Sequence, residues 1–206
     1  SKGNKMIFKS VQKGFSLFFV MILMLVIAFI VIMTSQSSLT EMRSSTNEAD
    51  RKFALSLAEN GLREGEFAIK AAFDAKPNVT TFTADCKNGW CLPAKDSYSS
   101  NQSNDPFKFD TAAAPDIPAW ERCAANTSKQ ASSCVGKTVL DAGCDSSARC
   151  KKSNDGKTYY IVEYLGSRMD NVKAQQIDNF RITSRARGNN DDTVVTLQSY
   201  VELIRQ

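Results

Sequence analysis

Histidine is absent from all 206 residues. That removes the usual general base, the usual zinc nitrogen ligand and any Ser-His-Asp arrangement. Proline is absent before Pro77, so nothing in the first 76 positions forces a helix to break. Charge is absent from Phe15 to Thr40, and acidic residues are absent before Glu41. Four lysines, Lys2, Lys5, Lys9 and Lys13, precede that uncharged run. They account for the whole net charge of +4, because the other 22 basic residues balance 22 acidic ones. A neutral body lacks the basic face that displaces counterions from phosphates, which argues against an electrostatic nucleic-acid binder. The sequence shows no nucleophile-base pair, metal-ligand cluster or phosphate loop. No enzyme, cofactor, bound metal or small-molecule substrate is therefore expected.

What is there begins with Leu17–Met33, a continuous apolar run of 17 residues. As a helix it covers about 25 Å, near the short limit for crossing a bilayer. Lysines before it and Glu41 after it place the N-terminus in the cytoplasm and the body outside. Three kinds of segment share these features. A cleaved secretory signal has a shorter run ending in a small-x-small site, and Met33–Ser38 makes only a weak one. A plain signal anchor fits the length. The third reading rests on Gln12-Lys13-Gly14-Phe15-Ser16-Leu17 at the membrane edge. That string resembles the type III signal of type IV prepilins: a basic leader, an obligatory Gly, then Phe, a hydroxyl residue and Leu opening an apolar helix. The resemblance implies cleavage after Gly14 by a prepilin peptidase and methylation of a new N-terminus at Phe15.

Residues 41–76 are rich in Ala, Glu, Arg, Lys and Leu, which favour helix. Small or apolar residues recur at three-and-four spacing from Ala54 and Ala58 through Gly61 and Gly65 to Ile69 and Phe73. Charged residues fill the opposite side, so Glu59 and Glu66 are read as part of a solvated face. One helix is expected from about Ser16 to Ala75, roughly 90 Å long. The Gly61/Gly65 pair is expected to let it pack closely on the domain's own sheet; a partner helix is the sharper alternative.

After Pro77 the texture changes. Residues 78–157 are rich in Ser, Asn, Asp, Ala, Gly and Cys, which reads as loops and short strands held by staples. The six cysteines, Cys86, Cys91, Cys123, Cys134, Cys144 and Cys150, all follow the apolar run, which suggests disulfides in an oxidising compartment. Neighbour pairing is the simplest of 15 connectivities. Cys86 with Cys91 is favoured, and exchanges among the other four stay open. Spacings of x4, x10 and x5 do not suit zinc. Asn154-Asp155-Gly156 and Asn189-Asn190-Asp191-Asp192 offer oxygens to calcium, but turn chemistry explains them more economically.

Three β-rich runs close the chain: 158–165, 179–187 and 193–201. In the second, Phe180, Ile182, Ser184 and Ala186 alternate with Arg181, Thr183, Arg185 and Arg187. One face looks inward, and the other is read as basic: solvated, or offered to an acidic partner such as DNA or a neighbouring subunit.

The helix segment 47–67, the tail 180–188 with 193–200, and the Cys86-x4-Cys91 pair after the helix together resemble minor pilins of the PilX and PilK group. The resemblance covers both ends well and 92–157 poorly. It implies an α+β, pilin-like fold: a long N-terminal helix on an antiparallel sheet with a disulfide-stapled, loop-rich region. The parts would be a leader (1–14), a transmembrane helix half (15–40), a helix half on the head (41–76) and a periplasmic or extracellular head (77–206). The implied function is to help start a type IV pilus, with a place at its tip. The partners would be other minor pilins, the major pilin, the prepilin peptidase and the inner membrane. A tip-type pseudopilin of type II secretion, and a pilus-displayed adhesin or DNA-binding subunit, are the alternatives. One position departs from the family pattern. Most pilins carry Glu at the fifth mature position, where this chain has Phe19.

Overall fold

The computed structural model describes residues 15–99, 104–134, 137–146 and 148–205. The chain divides into two compact units, residues 1–48 and 49–206. One helix, α1 (Phe15–Ala75), runs through the boundary between them.

In the first unit every large apolar side chain from Phe15 to Met33 is exposed. By length and composition this helix is able to cross a membrane. Just past the apolar run, the Thr34 hydroxyl donates to the Ile30 carbonyl at 2.7 Å and Ser35 to Val31 at 2.8 Å. Returning these hydroxyls to the helix backbone satisfies them without water, as an apolar surrounding requires.

In the second unit α1 buries the stripe that the spacing marked: Ala54, Ala58, Gly61, Gly65 and Ile69. The sheet contains β1 (Trp90–Cys91), β2 (Lys151–Lys152), β3 (Thr158–Asp170), β4 (Gln175–Arg187) and β5 (Val194–Arg205). The order is β1-β3-β4-β5, with β2 also on β3. The three long strands form the expected antiparallel meander. The two-residue β1 runs parallel to β3, so the sheet is mixed at that edge. The long strands also extend past the β-rich runs. Gly166, at φ +98°, sits in a bulge after Tyr164 rather than ending the strand.

Both faces of the sheet are covered over β3 and β4. On the α1 side, Val162, Tyr164, Phe180 and Ile182 form the main core with Ile69, Phe82, Leu92 and Phe107. Its rings are tightly joined, with Phe107 5.0 Å and Phe180 5.2 Å from Tyr164 between centroids. Edge-to-face and tilted pairs of this kind add about 0.5–1.5 kcal/mol each beyond burial. On the other face, Ile161 packs against Ala119, Val139, Leu140 and three half-cystines. Here lies the short helix α2 (Val139–Ser146), which the loop-rich texture of 78–157 concealed. Disulfides join Cys86 to Cys91, Cys123 to Cys134 and Cys144 to Cys150.

Candidate functional site

The residues that bear on function fall in three places: the start of α1, the loops that grip α1, and the covered face of the sheet. Gly14 lies outside the described residues. Phe15 opens α1, and Phe19, one turn on, is 58% exposed. The fifth position after Gly14 is thus a large apolar side chain free to meet lipid or another helix.

Two acids of α1 fasten loops of the C-terminal unit. The Asp50 carboxylate accepts the Asn189 amide at 2.6 Å and the Asn190 amide at 3.2 Å. The Thr193 hydroxyl, chiefly, and the Asn189 amide hold this carboxyl below its usual range. A Cβ at Gly188 would lie 2.5 Å from the Asp50 carboxylate, so a larger residue there would displace that carboxylate. One turn after Gly61, Glu64 accepts the Ser153 hydroxyl at 2.5 Å and the Asn154 amide at 3.2 Å. Asp155 in turn accepts the amides of Lys157 at 2.8 Å and Thr158 at 2.9 Å. The two Asn/Asp-rich segments are thus turns that the helix holds in place. Sequence reasoning missed Asp50 and Glu64 because their partners lie about 140 and 90 positions away.

The arginines of β4 require a correction. Arg181, Arg185 and Arg187 do not form an open basic face. Arg181 is 6% exposed and bonds both oxygens of the fully buried Glu163, at 2.8 and 2.9 Å. Burial pulls its pKa down, but the Glu163 bonds and charge outweigh that and hold it above the ordinary arginine value. Its guanidinium lies 4.4 Å from the Trp120 ring centroid and 5.9 Å from that of Tyr200. Arg185 and Arg187 share Asp141 of α2, at 2.6 and 3.4 Å. Burial raises the Asp141 carboxyl, yet bonds and charge from Arg185, with Thr138, leave it net lowered. The physical reason is twofold: α2 lies over this face and brings Asp141 to Arg185 and Arg187, and the neighbouring strand β3 sets Glu163 opposite Arg181. A face so neutralised does not offer DNA a row of free cations.

A second buried polar group lies on the α1 side. The Tyr164 hydroxyl reaches Asp105 at 3.0 Å and Asp178 at 3.4 Å, and Tyr98 and Ser167 also donate to Asp105. Burial raises the Asp178 carboxyl, opposed by Arg205 and Tyr164. These hydroxyls and acids bond to one another, so the cluster ties Tyr98 and Asp105 to the sheet.

Two family models match the chain. The one described as PilX N-terminal matches residues 13–63, and the one described as Type IV pilus assembly protein PilX C-term matches residues 87–203. No curated protein and no solved structure matches.

Proposed function

The chain belongs to the PilX family of type IV pilus assembly proteins, as a minor pilin, and from that premise we propose that it helps initiate the fibre and sits at its tip. Phe19 carries the reading. In most type IV pilins a Glu at the fifth mature position pairs with the N-terminal amine of the neighbouring subunit, which draws each new subunit under the last. A carboxylate in an apolar segment costs several kcal/mol unless it is paired. A first subunit has nothing above it to pair with, so an apolar residue there costs nothing. Its own amine at Phe15 still receives the Glu of the subunit below.

The remaining assignments follow from the same pathway. A prepilin peptidase cleaves between Gly14 and Phe15. α1 then holds the protein in the inner membrane, with the C-terminal unit in the periplasm, where disulfides form and persist. Its partners are the other minor pilins and the major pilin. The family match supports the pilus over the type II secretion alternative.

Phe19→Glu tests the reading. Fluorescently labelled wild-type subunits are expected only at fibre ends and in the membrane. Labelled Phe19→Glu subunits are expected along the shaft as well, since they carry the missing acid. Mutant subunits confined to tips or membrane would remove Phe19 as the reason for a first position.

A further inference from the structure

A cavity of about 590 Å³ opens between the last turn of α1, the start of β4 and the end of β5. It lies at the opposite end of the C-terminal unit from the Asp50 contact with the β4–β5 turn. Its volume is in the range of small-ligand sites. Phe73 and Pro77 give it an apolar wall, and Asn78, Gln176 and Arg205 line the rest with polar groups. The Gln176 amide is oriented by its Nε2, which donates to the Asn104 carbonyl at 2.5 Å and to the Ser167 hydroxyl at 3.0 Å. Arg205 is held loosely. Its Nε lies 3.4 Å from Asp178 Oδ2, and its Nη2 donates to the Asn104 carbonyl at 3.4 Å. Both contacts are longer than the usual range of about 2.7–3.2 Å. Among the described residues no hydrogen bond or ion pair engages the Asn78 side chain, Gln176 Oε1 or Arg205 Nη1.

These groups select among ligand chemistries. Arg205 Nη1 is a donor, Gln176 Oε1 an acceptor, and the Asn78 amide is both. The lining carries one acid, Asp105, and one base, Arg205, so its charges cancel. A phosphate or carboxylate offers acceptors only and would meet Gln176 Oε1 and the Asp105 charge. An ammonium offers donors only and would meet Arg205. A hydroxyl both gives and takes, and it carries no charge. A ring bearing adjacent hydroxyls also has C–H faces. The negative face of the Phe73 ring suits those, as it suits the positive edges of other rings.

We propose that this cavity binds a neutral saccharide, with a sugar ring against Phe73 and its hydroxyls shared among Asn78, Gln176 and Arg205. The loosely held guanidinium supplies donors without giving up its ion pair to Asp178. The assignment rests on the cavity alone and does not depend on a first position in the fibre.

The test uses the full chain, fluorescently labelled, in micelles of a detergent without a sugar headgroup. The probes are oligosaccharides ending in glucose, galactose, mannose or N-acetylglucosamine, with sialylated and sulfated ones beside them. Wild type is expected to bind at least one of the neutral probes, with little dependence on salt. Asn78→Ala is expected to weaken that binding about tenfold, since it leaves a ligand hydroxyl unpaired. Asn78 is exposed and makes no bond, so the variant is expected to melt like wild type. Arg205→Lys keeps the charge beside Asp178 but removes the fork, and is expected to weaken binding by a similar factor. Asn60→Ala, at an exposed asparagine lower on α1, is expected to change nothing. Three results overturn the proposal. The first is no binding of any neutral probe at millimolar concentration. The second is binding that Asn78→Ala and Arg205→Lys leave unchanged, which places the sugar elsewhere. The third is binding confined to the sialylated or sulfated probes and lost with added salt, which makes the site one for anions.

Discussion

Replacing Glu163 by Ala is expected to destabilise the C-terminal unit by about 3–5 kcal/mol, because it strands a buried charge. Glu163 is fully buried and Arg181 nearly so. Removing the carboxylate deletes both bonds to Arg181 and leaves the guanidinium between the Trp120 and Tyr200 rings. A second buried cation is nearby. Burial pulls Arg122 down to about 10, the Glu163 charge supports it and Arg181 opposes it. Without Glu163, two arginines share one buried region with no acid between them. Thermal melting of the full chain with disulfides intact is expected to show a midpoint lower by roughly 10 °C. The double replacement Glu163→Leu with Arg181→Met removes both charges and is expected to recover most of that loss. A Glu163→Ala protein that melts like wild type would mean the pair is not buried as described.

Gly61→Val is expected to cost about 3 kcal/mol, by driving α1 off the sheet. A Cβ at Gly61 would lie 2.5 Å from the Thr158 methyl carbon and overlap the Ser184 side chain. One turn on, a Cβ at Gly65 would lie 2.7 Å from Ile182 Cγ2. The two glycines mark the line where helix backbone meets sheet. Glycine costs about 1 kcal/mol relative to alanine in an exposed helix, so replacing it there stabilises. Here contact reverses the sign. The neighbours are β-strand side chains in a packed core, not flexible ends free to yield. Denaturant titration of wild type and Gly61→Val decides the matter through the midpoint. A midpoint raised by the substitution would mean that α1 and the sheet are not in close contact at this point.

These two sites show where sequence was informative and where it was not. Gly61 was legible, because small residues at three-and-four spacing on a proline-free helix say which side is packed. The apolar run, the charged opposite side and the uninterrupted length likewise gave α1 to within a residue of its observed start at Phe15. The three long strands were legible as β-rich runs but not in extent. Gly166 reads as a stop and acts as a bulge, and 167–170 and 175–178 are too polar to announce strand. The covered arginine face was not legible. Alternation in β4 correctly assigned Phe180 and Ile182 to the α1 side, but it carries no information about what lies over the other side. That layer comes from 119–150, where disulfides replace hydrophobic periodicity as the organising constraint. One signal was available: Glu163 stands alone in the otherwise apolar and aromatic run from Tyr159 to Leu165. An acid in such a run calls for a buried cation opposite, and Arg181 is its cross-strand partner.

Several charges of the C-terminal unit hold the fold together. Asp50 and Glu64 hold loops, Glu163 holds Arg181, and Asp141 holds Arg185 and Arg187. Apolar surface is exposed on α1 from Phe15 to Met33, and Val194 and Ile204 of β5 are exposed as well. That distribution suits a subunit that meets other proteins and a membrane.

Intact-mass spectrometry of the protein from cells with and without prepilin peptidase tests the central claim most directly. The account expects a mature form beginning at a methylated Phe15 when the peptidase is present, and a form retaining Gly14 and the residues before it when it is absent. A chain left uncut in both strains, or cut near Ser38, would contradict entry into the pilin pathway and leave an anchored or secreted disulfide-bonded protein.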